Sequence, residues 1–172
     1  MFFSVRDLEV KKIHFETEYP AGEIDFLDPG VEQYSVLKTR GVAELLSNTL
    51  GEIRVKGHLD VTIQAACDRC LEPAQFPVDS DFDLFYRPAE SGVLPEEARI
   101  DDGELEIAFY EEGGVALKDV LREFVLLAMP MRKLCREDCR GICPLCGSNR
   151  NLMECRCEEK PVDSRWAALK NI

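Results

Sequence analysis

Apolar and polar residues alternate through the middle of the chain with the two-residue period of a β-strand. From residue 53 to residue 67 the odd-numbered positions are apolar or small, and a second alternating run covers residues 74–86. Because a strand points successive side chains to opposite faces, each run predicts a half-buried strand. The short turn between them predicts that the two strands pair antiparallel.

Other segments extend this pattern on both sides. Residues 13–19 and 34–46 predict two earlier strands, with Asp28-Pro29-Gly30 as the turn between them, and residues 105–109 predict a short later strand. With so many alternating segments near one another, the sequence predicts an antiparallel β-meander or an open barrel.

A helical period replaces the alternation near residue 117. Apolar residues recur at spacings of three and four and predict a helix that ends before Pro130 and packs on the sheet. These positions are Leu117, Val120, Leu121, Phe124, Val125 and Ala128. The predicted fold class is therefore α+β, with a body of residues 1–130 and a cysteine-rich tail of residues 131–172. Asp163 can cap a short terminal helix that carries Trp166 and Leu169.

Composition places the chain among ordinary globular proteins. It has 172 residues, 45% of them hydrophobic and 31% charged, enough for one domain with a small appendage. The longest nearly apolar run, residues 124–131, is far shorter than the roughly 20 residues that cross a membrane. The charged N-terminus lacks the apolar core of a signal peptide, so we expect a cytoplasmic protein.

The formal charge of -12 is unevenly distributed. Residues 79–112 hold twelve acidic residues and two arginines, and within them residues 88–103 predict an exposed acidic loop. The tail holds nine basic and six acidic residues. This distribution argues against nucleic-acid binding over the whole surface. The acidic segment is either a surface for a basic protein partner or a solvated loop that keeps the chain soluble.

Eight cysteines carry the candidate chemistry, and six of them lie in the tail. Thiols of cytosolic proteins stay reduced, so their spacing points to metal binding rather than to disulfides. Two residues between a pair of cysteines let one tight turn direct both thiolates at a tetrahedral ion, and four thiolates close a structural zinc site. Eight ligands are therefore enough for two zinc ions.

Proximity along the chain suggests the ligands of the first site, and the second site takes the cysteines that are left. The turn formers Pro144 and Gly147 indicate a zinc knuckle, and its nearest partners follow after an eight-residue loop. The first predicted site is Cys143, Cys146, Cys155 and Cys157, and the second, which would pin the tail to the body, is Cys67, Cys70, Cys135 and Cys139. The alternative is one zinc in the tail, with the two body cysteines as buried thiols at a strand end.

Enzymatic interpretations of the cysteines fit less well. Cys139-x3-Cys143-x2-Cys146 has the spacing of a radical-SAM iron–sulfur site, but only 26 residues follow it. A redox pair at Cys67 and Cys70 needs a following helix to lower a thiol pKa, and Pro73 and Pro77 oppose one. Catalytic zinc usually has histidine or carboxylate ligands, and the two histidines, His14 and His58, fall on predicted strands.

Taken together, these motifs resemble the YceD family of large ribosomal RNA subunit accumulation proteins. The resemblance rests on the order of four segments, namely Cys67-Asp68-Arg69-Cys70-Leu71, the helix end at 127–131, the cysteines of 134–147 and the ending Arg165-Trp166-Ala167-Ala168-Leu169-Lys170. It implies a non-enzymatic role in the accumulation of large-subunit ribosomal RNA, so we expect neither a small-molecule substrate nor association with a membrane.

An assembly factor of this kind would bind a ribosomal protein or a precursor of the large-subunit RNA. The acidic segment 79–112 suits a basic ribosomal protein, whereas contact with RNA falls to the tail. The candidate RNA contacts are Arg132, Lys133, Arg136, Arg140 and Arg150. Two alternatives stay open: a zinc-stabilised interaction module with another partner, and a cysteine-based redox or iron–sulfur protein.

Overall fold

Ten secondary-structure elements follow one another in the computed structural model, which describes residues 1–49, 51–89, 107–111 and 113–157. They are β1 (Phe2–Ser4), α1 (Val5–Val10), β2 (Ile13–Tyr19), β3 (Val31–Gln33), β4 (Leu37–Leu45), β5 (Ile53–Ala66), β6 (Pro73–Pro88), β7 (Ile107–Tyr110), β8 (Gly114–Ala116) and α2 (Leu117–Ala128). The predicted α+β class is confirmed, with antiparallel pairing dominant.

The main sheet has the order β2-β4-β5-β6-β7, and β3 pairs with the end of β5. From β2 to β6 every neighbouring pair is antiparallel, whereas β7 runs parallel to β6. The hairpin of β5 and β6 extends from the pair Ile53–Tyr86 to the pair Ala66–Pro73. The meander is therefore present. Among the described strands no pairing joins β2 to β7, so the open barrel is not supported.

Some predicted boundaries are shifted. The strand predicted over 34–46 begins at Leu37. Tyr34 and Ser35 follow β3 instead, and their amides donate to the carbonyl of Thr62 on β5. The turn at Asp28 is present, with the amide of Val31 bonded to the Asp28 carbonyl. Residues 90–106 of the predicted acidic loop and short strand, and the predicted terminal helix at Asp163, Trp166 and Leu169, lie outside the described residues.

Helix α2 covers the inner face of the sheet as its apolar stripe predicts. Leu117, Val120, Leu121 and Val125 are buried, and the ring of Phe124 lies 5.4 Å from that of Phe82 on β6. The prediction is wrong for the last position of the stripe, since Ala128 at the end of the helix is exposed, and the helix stops before Pro130 as predicted. None of the helices in the described residues is long and apolar enough to cross a membrane.

A pair of glycines lets four strands pack closely beneath two aromatic rings. Phe15, Gly41, Gly57 and Phe82 stand in one row across β2, β4, β5 and β6. A Cβ at Gly41 would lie 2.3 Å from the carbonyl oxygen of Lys56 and 2.7 Å from the ring of Phe15. A Cβ at Gly57 would meet the backbone of the neighbouring strand at a similar distance. Only glycine fits at these two positions.

The far end of the β5–β6 hairpin forms a second, smaller core. Cys67 follows β5 and is fully buried, and Met129 and Leu134 from the chain after α2 pack against the same group. The buried members are Ala65, Cys67, Cys70, Ala74, Phe76 and Cys139. The chain beyond α2 is thereby brought to the hairpin turn that carries the first two cysteines.

Substitution of the glycine row tests this packing. We expect Gly57→Ala to lower the free energy of unfolding by about 2–3 kcal/mol, because its Cβ must push the backbone of β4 away. Gly30→Ala is the matched control, since Gly30 lies in an exposed turn and should cost less than about 0.5 kcal/mol. Urea denaturation measures both, and equal midpoints for the two variants would contradict the argument.

Candidate metal centres

The eight cysteines lie in two groups of four. Within each group the four sulfur atoms are all within 4.8 Å of one another, and none of the eight forms a disulfide. We call Cys67, Cys70, Cys135 and Cys139 the inner site, and Cys143, Cys146, Cys155 and Cys157 the outer site. These are the same two foursomes that the spacing along the chain suggests.

The sulfur spacing of the inner site suits a tetrahedral ion. The Sγ atoms of Cys67 and Cys139 are 3.9 Å apart, and those of Cys70 and Cys135 are 3.8 Å apart. Four sulfurs at about 2.3 Å from a central ion are separated by about 3.8 Å, whereas a disulfide holds its sulfurs at about 2.05 Å. The donor set and its spacing therefore fit a closed, four-coordinate zinc site.

Both sites begin with a turn of the same geometry. In one, the amide of Leu71 donates to the carbonyl of Cys67 at 2.9 Å, and in the other the amide of Gly147 donates to the carbonyl of Cys143 at 2.9 Å. The residue after each turn has a positive φ, 63° at Leu71 and 73° at Gly147. Gly147 signals this turn in the sequence of the outer site, because glycine readily adopts a positive φ. Leu71 gives no such signal in the inner site, because residues with a side chain rarely adopt a positive φ.

Backbone amides converge on the first sulfur of each turn. Burial raises the pKa of Cys67, but the amides of Cys135, Cys70 and Arg69 donate to its sulfur and lower the pKa to about 6 overall. The pKa of Cys143 is likewise lowered, by the amides of Cys146 and Leu145. Amides that point at a sulfur stabilise its thiolate form, which is the form that binds a metal ion.

The pKa values of three other thiols shift in opposite directions. The hydroxyl and amide of Ser148 donate to Cys146 and lower its pKa to about 6. The pKa of Cys157 is raised to about 12, chiefly because its S–H donates to Cys146. In the inner site, burial and the neighbouring Cys139 raise the pKa of Cys135 to about 12. Binding of a metal ion to either site must therefore displace protons.

The two middle residues of the inner turn fasten the tail to the body. Asp68 donates its amide to the carbonyl of Lys133 at 2.7 Å and accepts the Lys133 amide on its carboxylate at 2.7 Å. The guanidinium of Arg69 donates to the carbonyl of Cys139 at 2.9 Å, and the carbonyl of Arg69 accepts the amide of Ile142 at 3.0 Å. The turn thus supplies both ligands and docking contacts.

Asn151 connects the two sites within the tail. Its side chain accepts the amide of Arg140 at 2.8 Å and donates to the sulfur of Cys139 at 3.3 Å. The sequence marks Asn151 only as a turn former, and no local pattern distinguishes it from the other asparagines of the loop. Asn149 contacts the body as well, since its side-chain amide donates to the Glu72 carboxylate at 3.3 Å.

The five basic residues predicted to contact RNA have different surroundings in the structure. Arg136 pairs with Asp138 at 3.2 Å, and the backbone of Lys133 belongs to the docking contacts. Arg140 and Arg150 are both exposed and line one cleft of about 570 Å³ together with Cys155. Arg132 is exposed as well.

Neither histidine is near the cysteines. His14 lies on β2, and His58 lies on β5 with its ring nitrogens 3.1 Å from Asp79 and 2.9 Å from Asp81. In the described residues, the groups of donor atoms that could hold a metal ion are the two cysteine sites.

Comparison with known proteins adds one match. A family model described as "Large ribosomal RNA subunit accumulation protein YceD" matches residues 55–172, which is more than half of the chain and includes all eight cysteines. No curated protein and no solved structure matches the chain.

The docking contacts can be tested apart from the cysteines. We expect Asp68→Ala to weaken docking of the tail by about 1–2 kcal/mol, because the variant loses a charge-assisted hydrogen bond to the Lys133 amide. Hydrogen exchange should then be about tenfold faster at the amides of Lys133 and Cys135. Asp138→Ala is the control, since that carboxylate is exposed and bonds to Arg136. Equal exchange in the two variants would contradict the proposed docking.

Proposed function

The chain belongs to the YceD family, and we propose that it is a non-enzymatic factor for accumulation of large-subunit ribosomal RNA, acting while the large subunit is assembled. The observation that carries this proposal is the family match over residues 55–172. The family description names the accumulation of an RNA rather than a reaction. A cytoplasmic location is part of the same proposal.

We further propose that each cysteine site holds one zinc ion. Four thiolates without histidine or water form the closed coordination of structural zinc sites. Support comes from the sulfur spacing of the inner site and from the amides directed at Cys67 and Cys143. The ion supplies a crosslink between ligands rather than a reactive centre. In this proposal residues 1–130 form a body to which the inner ion fastens the tail of residues 131–172.

The direct partner we propose is a ribosomal protein, bound through the acidic segment 79–112. Within its described part, Asp79 and Asp81 have side chains that are 71% and 90% exposed and point outward from β6. A basic protein would find complementary charge there. The tail arginines are the proposed contact to RNA, but a zinc ion held by four thiolates carries a net charge of about -2, which weakens attraction to phosphates.

The first test of the proposed function is the ratio of the two ribosomal RNAs in cells. We expect deletion of the gene to lower large-subunit RNA relative to small-subunit RNA, and the full chain to restore the ratio. A chain truncated before Leu134 should restore it only in part if the body binds the partner. Asp138→Ala, which alters an exposed ion pair, is the matched control and should restore it fully. An unchanged ratio in the deletion strain, at slow and fast growth, would refute the ribosomal role.

The second test is metal content. Native mass spectrometry of the purified full chain should show two zinc ions, and Cys143→Ser and Cys70→Ser should each lose one, because three thiolates hold a structural ion poorly. The Cys70 variant should also show faster hydrogen exchange along residues 133–142, since it loses the crosslink between body and tail. A chain that purifies without metal under reducing conditions would refute the zinc proposal and leave the ribosomal role untouched.

A further inference from the structure

The two cysteine sites differ in how many exposed cysteines they present. In the inner site Cys67, Cys70 and Cys139 are at most 4% exposed, and Cys135 is exposed. In the outer site Cys143 is 4% exposed and Cys155 is half-buried, whereas Cys146 and Cys157 are both exposed. A reagent dissolved in water therefore meets a pair of exposed cysteines in the outer site and a single one in the inner site.

The outer site is also held more weakly on one side. Its first two ligands lie in a ribbon closed by hydrogen bonds between Cys143 and Ser148 at 2.8 Å and between Arg150 and Gly141 at 2.9 Å. Residues 154–157 carry its other two ligands, and within the described part of the chain they bond only through their sulfurs, Cys157 to Cys146 and Cys155 to Cys143. Within the described part of the chain, the sulfurs of Cys155 and Cys157 are therefore what joins this arm of residues 154–157 to the ribbon, whereas the inner ligands are also fastened by the contacts of Asp68 and Arg69.

The two exposed sulfurs are close enough to react with each other. Cys146 and Cys157 belong to the group whose sulfurs all lie within 4.8 Å, and the hydroxyl of Ser148 is 3.0 Å from the Cys146 sulfur. The Cys157 sulfur can close the remaining distance to the length of a disulfide by a small shift of residues 154–157, whose hydrogen bonds in the described part of the chain do not reach the body.

We propose that the outer site is an oxidation site for hydrogen peroxide, at which Cys146 and Cys157 form a disulfide and the zinc ion is released. This inference rests on the proposed zinc occupancy. The Cys146 thiolate attacks one peroxide oxygen, so that an S–O bond forms, the O–O bond breaks and hydroxide leaves. The Cys157 thiolate then attacks the Cys146 sulfur, so that the S–S bond forms and a second hydroxide leaves. Two electrons pass to the peroxide, and two protons convert the hydroxides to water.

Release of the ion changes the surface of the tail. The two thiolates that are left, Cys143 and Cys155, are too few to hold zinc in a structural site. Cys155 lines the cleft that contains Arg140 and Arg150, so movement of its arm alters the spacing around both guanidinium groups. Peroxide therefore acts on the region proposed to contact RNA, while the inner site keeps the tail attached to the body.

The test uses the full chain loaded with zinc, after its metal content has been measured. Peroxide is added in the presence of a chromogenic zinc chelator, and free thiols are then alkylated and mapped by mass spectrometry. We expect one of two zinc equivalents to be released, a disulfide between Cys146 and Cys157, and full protection of Cys67 and Cys139. A thiol reductant with added zinc should restore the second equivalent.

Matched variants sharpen the test. Arg156→Ala changes the same arm without removing a ligand, and this variant should still release one equivalent of zinc. Ser148→Ala removes the hydroxyl beside the Cys146 sulfur, and this variant should release one equivalent of zinc at a changed rate. Release of both ions together, resistance of both, or oxidation first at the inner site would overturn the proposal. A chain with no zinc at the start overturns it too, but that result is seen before peroxide is added and so identifies failure of the zinc proposal instead.

Discussion

The turn from Cys67 to Cys70 is the constraint on which the arrangement of the tail depends. Its two sulfurs face those of Cys135 and Cys139, and its two middle residues bind the backbone of the tail. A segment of this size buries too little apolar surface to fold without a crosslink or a larger surface to dock on. The four residues of one turn supply ligands for a crosslink and a surface for docking. The position of the hairpin end therefore determines where the tail lies.

The body places that turn through ordinary packing. Strands β5 and β6 pair over fourteen positions, so the turn lies at the end of a long two-stranded ladder that the neighbouring strands and α2 support. The glycine row brings these strands close together beneath Phe15 and Phe82. Met129, at the end of α2, packs against both the main core and the smaller core around Cys67. The helix thereby delivers the tail to the turn.

Local patterns in the sequence predict the parts of this structure that local burial determines. Alternation predicts β5 and β6, and helical spacing predicts α2, because each has one face toward the core. The pairing of β1 with β8 could not be predicted in this way. Each has three residues, and they lie more than a hundred residues apart in the chain, so no periodicity can develop and no local signal connects them. The parallel direction of β7 is not predicted either, because alternation along one strand does not report the direction of its neighbour.

The same limit applies to the sites. Cysteine spacing suggests the two foursomes, because a tetrahedral ion restricts which thiols one turn can present. It says nothing of Asp68 bound to Lys133 or of Asn151 bound to the Cys139 sulfur, since both depend on contacts across the fold. The positive φ of Leu71 is local, but a leucine gives no sign of it. The difference in exposure between the outer and inner sites, on which the oxidation proposal rests, is likewise a property of the folded chain.

The central proposal is that both cysteine sites are closed, all-sulfur zinc centres, with the inner one joining tail to body. X-ray absorption at the zinc edge of the purified full chain tests it most directly, because the spectrum reports the atoms bound to the metal. The account predicts four sulfur neighbours at about 2.3 Å around each ion. A first shell that contains nitrogen or oxygen, or the absence of zinc from the chain, would contradict it.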